Sequence, residues 1–188
     1  QLGYQASEKW YYTAMADLNT QFYKGYNYPD KSHYISKFFA PAYSNISLGM
    51  DFRPKSNYSL YLSPIAGKLT FVEDDYLSKE GAFGVDPGDR FRAEIGAYIK
   101  AKAEQKIMEN VNLITSVDFF TPYDKQFGNV DVNWDVLINM KINKYLSATL
   151  NTTLKYDNDV KTFNDEGEKH GAKVQFKEVL GIGVAYNF

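Results

Sequence analysis

Between residues 90 and 104 the charged side chains fall on alternate positions: Arg90, Arg92 and Glu94, then Lys100, Lys102 and Glu104. Residues two apart share one face of a β-strand, so this spacing draws a ladder of cations and anions along a single face. The intervening Phe91, Ala93, Ile95, Ala97, Ile99, Ala101 and Ala103 are all apolar. Asp118, Asp131 and Asp135 carry the same polar parity on neighbouring stretches. Opposed charge ladders around a hydrated interior would set a transverse field and select small polar solutes. The same side chains can equally pair with one another and fill a narrow interior. The two readings carry equal weight, because the pairing register is not written in the sequence.

Other chemistry is sparse. The two histidines, His33 and His170, fall in long polar connections. Asp30 and Ser32 lie near the first, Asp165 and Glu168 near the second, which are the residue types of an acid–base site. Neither spacing is diagnostic, and solvated loop histidines are the simpler reading, so an enzyme is not expected. GAFGVDPGD (81–89) has glycines but no GxxxxGK[ST] frame and no following helix, which makes it a structured corner. Asp74, Asp75, Asp86 and Asp89 offer oxygen ligands for a hard cation, but their spacing matches no EF-hand. A solvated acidic loop fits better. Tyr23, Tyr26 and Tyr28 could stack on glycans, but an upper aromatic girdle accounts for them more simply. No catalytic residue, cofactor or metal ligand is expected. The chain has no cysteine, which removes disulfide frameworks and thiolate metal sites. A net charge of −2 gives no support for a nucleic-acid partner.

The elements that must position the ladder are strands. Val130 to Asn143 reads VDVNWDVLINMKIN, with Val130, Val132, Trp134, Val136, Ile138, Met140 and Ile142 on one parity. The opposite parity is polar except for Leu137. Such alternation sets one whole face in an apolar medium and the other against water. The run is longer than the usual strand of about 5–6 residues, and a tilted membrane-crossing strand needs about 9–11. Similar alternation occupies Trp10–Phe22, Ala40–Arg53, Tyr58–Phe71, Phe91–Glu104, Val111–Phe119, Leu146–Tyr156 and the stretch up to Phe188. In the third of these stretches, Tyr58–Phe71, the phase slips near Pro64, where a bulge is expected. Connections alternate between short turns and long loops throughout, as in outer-membrane barrels.

No apolar run approaches the roughly 18 residues of a membrane helix, and mean hydropathy is −0.44. Barrels hide their hydrophobicity in alternation, so this value does not exclude one. A lipocalin-like barrel also alternates, with its apolar face inward. Strand length, scarce charge on the apolar faces, and aromatics at strand ends favour the inverted, membrane version. Glu178 has outward parity and is therefore expected at the headgroup rim. The expected fold is all-β, an antiparallel up-and-down transmembrane barrel. About eight complete strands are visible, with a fragment at Leu2–Ala6, which suggests part of a larger barrel with N-terminal strands missing. The expected partners are outer-membrane lipid and small polar solutes.

KWYY (9–12), GKLTFV (67–72), GAFGVDPG (81–88), DVNWDVLINMKINKYLSA (131–148) and VQFKEVLGIG (174–183) resemble an uncharacterised outer-membrane barrel family of Bacteroidetes. The similarity runs over nearly the whole chain and is most specific in its second half. It implies fold and an outer-membrane location, and carries no activity. The terminal Phe188, after alternating apolar residues, resembles the signal read by the barrel assembly machinery.

Overall fold

A computed structural model describes residues 1–26, 29–124, 128–158, 161–163 and 169–184. The chain begins with β1 (Leu2–Gln5) and β2 (Trp10–Thr20), then a small hairpin of β3 (Gly25–Tyr26) and β4 (Tyr34–Ser36). β5 (Ala42–Lys55) and β6 (Tyr58–Phe71) follow, and a short helix α1 (Asp75–Lys79) precedes β7 (Phe91–Met108). Then come β8 (Val111–Pro122), β9 (Asp131–Lys141), β10 (Leu146–Tyr156), a second hairpin of β11 (Lys161–Phe163) and β12 (Lys169–Ala172), and β13 (Gln175–Val184).

Nine of these strands form one antiparallel sheet in the order β1-β2-β5-β6-β7-β8-β9-β10-β13. Each pairs with its neighbours along the chain once the two hairpins are set aside. The protein is thus an all-β meander, with β1 and β13 as its outer strands. Eight long strands and the short β1 match the number expected from alternation. The hairpins and α1 sit in long connections that carry no periodic signal.

Register keeps the faces continuous, because directly opposed residues in an antiparallel pair point the same way. Phe119 stands opposite Ile99 and Val132, while Asp118 stands opposite Lys100 and Asn133. One face is therefore apolar across the sheet and the other polar. The apolar face is the exposed one: Ile95 is 67% exposed and Ile182 74%. On the polar face Asp51 is 2% exposed and Glu94 5%. This is the reverse of a water-soluble sheet, in which apolar side chains fill the interior.

The sheet curls with its polar face inside. Lys68 of β6 reaches Asp131 of β9 at 2.6 Å and Asp157, just past β10, at 2.7 Å. In a flat sheet β6 and β9 would stand three spacings, roughly 14 Å, apart, beyond the combined reach of one lysine and one aspartate. Bends are built into the backbone. β6 bulges between Ser63 and Ala66, beside Pro64, where the phase slip predicts it. Gly49 faces that bulge, and a Cβ there would lie 2.2 Å from the Leu62 carbonyl oxygen. Gly96 is equally confined, 2.1 Å from the Thr121 oxygen by the same construction.

Two small apolar clusters complete the architecture. Tyr61, Ala66, Tyr98 and Phe120, with Met15 against them, pack inside the curl. Ala40, Val72, Leu77 and Val85 pack at the long-loop end, joined by Tyr34 and Phe83.

Candidate functional site: the concave face and its loop-side mouth

The sequence ladder divides into four groups. Arg90 is the one member placed elsewhere: it precedes β7 and pairs with Asp75 and Glu73 on the exposed loops. The pull of Asp75 raises its already high pKa further. Its parity matches the inward set, but the strand starts one residue too late to aim it inward.

Arg92, Glu94 and Asp131 gather at the mouth. The Arg92 guanidinium donates to Glu94 at 2.9 Å and to the Gly84 carbonyl at 2.8 Å, which ties β7 to the 81–88 corner. Glu94 stands opposite Lys68 in the β6–β7 register. Asp131 accepts from Lys68 and from the Asn158 backbone N–H at 3.1 Å.

The middle of the face is held by hydrogen bonds. Lys100 lies 4.0 Å from Asp118. Asn133 donates to Asp135 at 3.0 Å and more weakly to Asp118 at 3.4 Å. Thr153 of β10 donates to Asp135 at 2.6 Å. Lys102 and Glu104 lie further down β7 and are exposed. β7 has 18 residues, and its lower end runs past its last β6 partner, Tyr58 opposite Ala103, so there, among the described residues, it pairs with β8 alone.

Lys68 and Asp157 are central to this face and absent from the sequence ladder. After the slip at Pro64, Lys68 falls between apolar Gly67 and Leu69 with inward parity, which was the available signal. Asp157 lies just past β10 and reads only as the first residue of a charged loop. The aromatic ring of Phe120 adds a cation–π contact to Lys68, with the ammonium 5.9 Å from its centroid.

Above the mouth sits a loop cap. Asp74 is the N-cap of α1, accepting the Leu77 N–H at 2.8 Å. Its other oxygen accepts the Tyr34 hydroxyl at 3.1 Å and pairs with Lys37. One buried carboxylate therefore joins the first long loop to the second. Burial pushes its pKa up, but the bonds from Lys37, Leu77 and Tyr34 prevail and hold it below the ordinary range. Lys37 is raised in turn by its bond to Asp74.

Near His33, Ser32 donates its hydroxyl proton to Asp30 at 2.6 Å, and the same oxygen lies 2.9 Å from His33 Nδ1. The serine stands between acid and histidine, whereas nucleophile activation needs the histidine in the middle. The Ser32 backbone N–H also binds Asp30, completing a local turn. Those bonds, the hydroxyl's first, lower the Asp30 pKa. His33 stacks on Tyr76. Asp165, Glu168, Tyr28 and Phe188 lie outside the described residues, as does the His170 side chain. Of the acidic loop set, Asp74 and Asp75 are engaged by Lys37 and Arg90. Among the described residues no group of three metal-ligating side chains gathers.

Aromatic rings border the loop-side end of the apolar face. Phe22, Phe38, Phe39, Phe71 and Phe91 form a chain of ring contacts with centroids 5.1–6.1 Å apart. Trp10 and Phe52, 4.8 Å apart, mark the short-turn end. Glu178 is exposed opposite Thr152, three residues into β13 from its loop-side end. Searches of family models, curated proteins and solved structures find no match to this chain.

Proposed function

We propose that the chain forms most of the wall of a β-barrel in a bacterial outer membrane, passing small polar solutes through its polar interior. The observation that carries this reading is the inverted sheet, with exposed Ile95, Leu180 and Ile182 outside and buried Asp51 and Glu94 inside. Lipid is the medium in which that arrangement is favourable. The chains of rings at both ends of the apolar face fit aromatic girdles. Edge strands support closure by further strands. β13 offers ten residues and β1 only four, and hydrocarbon leaves unpaired backbone groups without water. The reading agrees with the resemblance to an outer-membrane barrel family of Bacteroidetes, which runs over nearly the whole chain.

A second reading rests on the packed mouth and the ordered loop cap: a filled barrel that transports nothing and works through its surface loops. Refolding into lipid, heat-modifiability and planar-bilayer conductance separate the two. Discrete conductance steps that change in Lys100→Ala support passage. An inserted, heat-modifiable protein without conductance eliminates passage and leaves the loops as the working surface. A protein that stays soluble and never inserts sinks both.

A further inference from the structure

We propose that Lys68, held between Asp131 and Asp157, is the arm that sets the size limit for solutes entering the interior; this rests on the pore reading above. The lysine starts on β6 and ends on groups from β9 and the segment after β10, so its side chain crosses the concave face. All three side chains are largely buried, with 14%, 17% and 25% exposure. Such a bridge keeps its position better than an exposed pair, which is screened and loses side-chain entropy. The Phe120 ring contact and the Asn158 N–H on Asp131 hold both ends.

Location makes this an obstruction. Lys68 lies three residues before the loop-side end of β6, Asp131 opens β9, and Asp157 follows β10, so the bridge lies at the loop-side mouth and crosses the β6–β10 part of the concave face. The neighbouring Glu94 is occupied by Arg92, which in turn holds the 81–88 corner. Phe120, which touches the Lys68 ammonium, packs with Tyr61 and Tyr98 in the apolar cluster inside the curl. The aromatic residues belong to the wall strands themselves. Asp157, by contrast, lies just past its strand, so the Lys68 bond joins the wall to the segment that follows β10. Where the sheet curls this tightly, one lysine arm with its two carboxylates takes up space that an entering solute would need.

The test compares wild type with Lys68→Ala, Lys68→Met, Lys68→Arg and Asp157→Asn, each refolded in lipid and checked for heat-modifiability. Single-channel conductance and liposome swelling with neutral sugars of increasing size are the readouts. Lys68→Met keeps the stem without the charge, and Lys68→Arg keeps the bridge. The expected result is a several-fold rise in conductance and a larger size cut-off in Lys68→Ala, Lys68→Met and Asp157→Asn, with Lys68→Arg near wild type. Conductance that is present but indifferent to these changes overturns the Lys68 assignment and leaves the pore reading standing. Silence in every inserted variant overturns both. Should Lys68→Ala fail to fold, Asp157→Asn decides, since it spares the strand residues.

Discussion

The Trp134 indole N–H donates to the Thr115 hydroxyl at 2.9 Å, on the face of the sheet turned away from the polar interior. Thr115 passes its own proton to the Asp135 carbonyl at 3.1 Å. Ser44, on the same outer face, likewise donates to the Asp17 carbonyl at 2.8 Å. In water these polar atoms would need no internal partner. In hydrocarbon each unpaired group costs several kcal/mol, so internal bonding is what a lipid-facing surface requires.

Trp134 should therefore report lipid directly. In a Trp10→Phe background its emission should be blue-shifted and quenched by brominated acyl chains. Thr115→Val, which removes the acceptor, should lower stability in lipid by about 1–3 kcal/mol. Quenching by aqueous iodide instead of brominated lipid would place this face in water and overturn the inverted arrangement.

Charge on the apolar face offers a second test. Ile95→Lys should destabilise the lipid-inserted protein by about 2–4 kcal/mol if the site lies near the bilayer midplane. Measured by urea unfolding from vesicles, a neutral or stabilising effect would contradict lipid contact, because a solvated surface tolerates lysine at such an exposed position.

The confined glycines make a contrasting pair with Gly67. Gly49→Ala and Gly96→Ala bring a methyl group onto a backbone carbonyl oxygen, at 2.2 and 2.1 Å without relaxation. Each should cost about 1–3 kcal/mol and slow conversion to the heat-modifiable form. Gly67→Ala meets its nearest atom only at 3.9 Å and should fold normally. Equal behaviour of all three would mean that the bends do not depend on bare backbone.

Acid should loosen the loop cap through Asp74. Its folded-state carboxyl titrates below the ordinary value of 3.8, so protonation opposes the folded cap. The stabilisation is complete above that value and falls away as pH drops through the folded one. Amide exchange at Leu77, corrected for intrinsic rate, should lose protection in that acid window. Asp74→Asn should be less protected at every pH and lose that acid dependence. Protection unchanged through the acid range would remove Asp74 as the tie between the loops.

Alternation made the strands legible because a two-sided sheet imposes one physical demand per residue. Val132, Trp134 and Val136 announce β9 unaided, and the slip at Pro64 announces its bulge. Contacts across the curl have no local signature. Lys68 and Asp157 are 89 residues apart in sequence, and nothing in either neighbourhood names the other. Arg90 shows the opposite failure: parity extended the ladder one residue past the point where the strand begins. The cap was illegible for a related reason. Asp74 caps a helix of only five residues, too short for a periodic pattern.

Nearest-neighbour order gives the wall a simple route of change. A strand that pairs only with those before and after it in sequence lets a whole hairpin be inserted or lost without rewiring the remaining ladders. The width of the sheet can then drift in steps of two strands during duplication. The Lys68 bond is indifferent to that width but not to curvature, since its reach is fixed by one side chain. It acts as a gauge: any descendant with a flatter curl must give it up, lengthen the segment after β10, or hold that segment in another way.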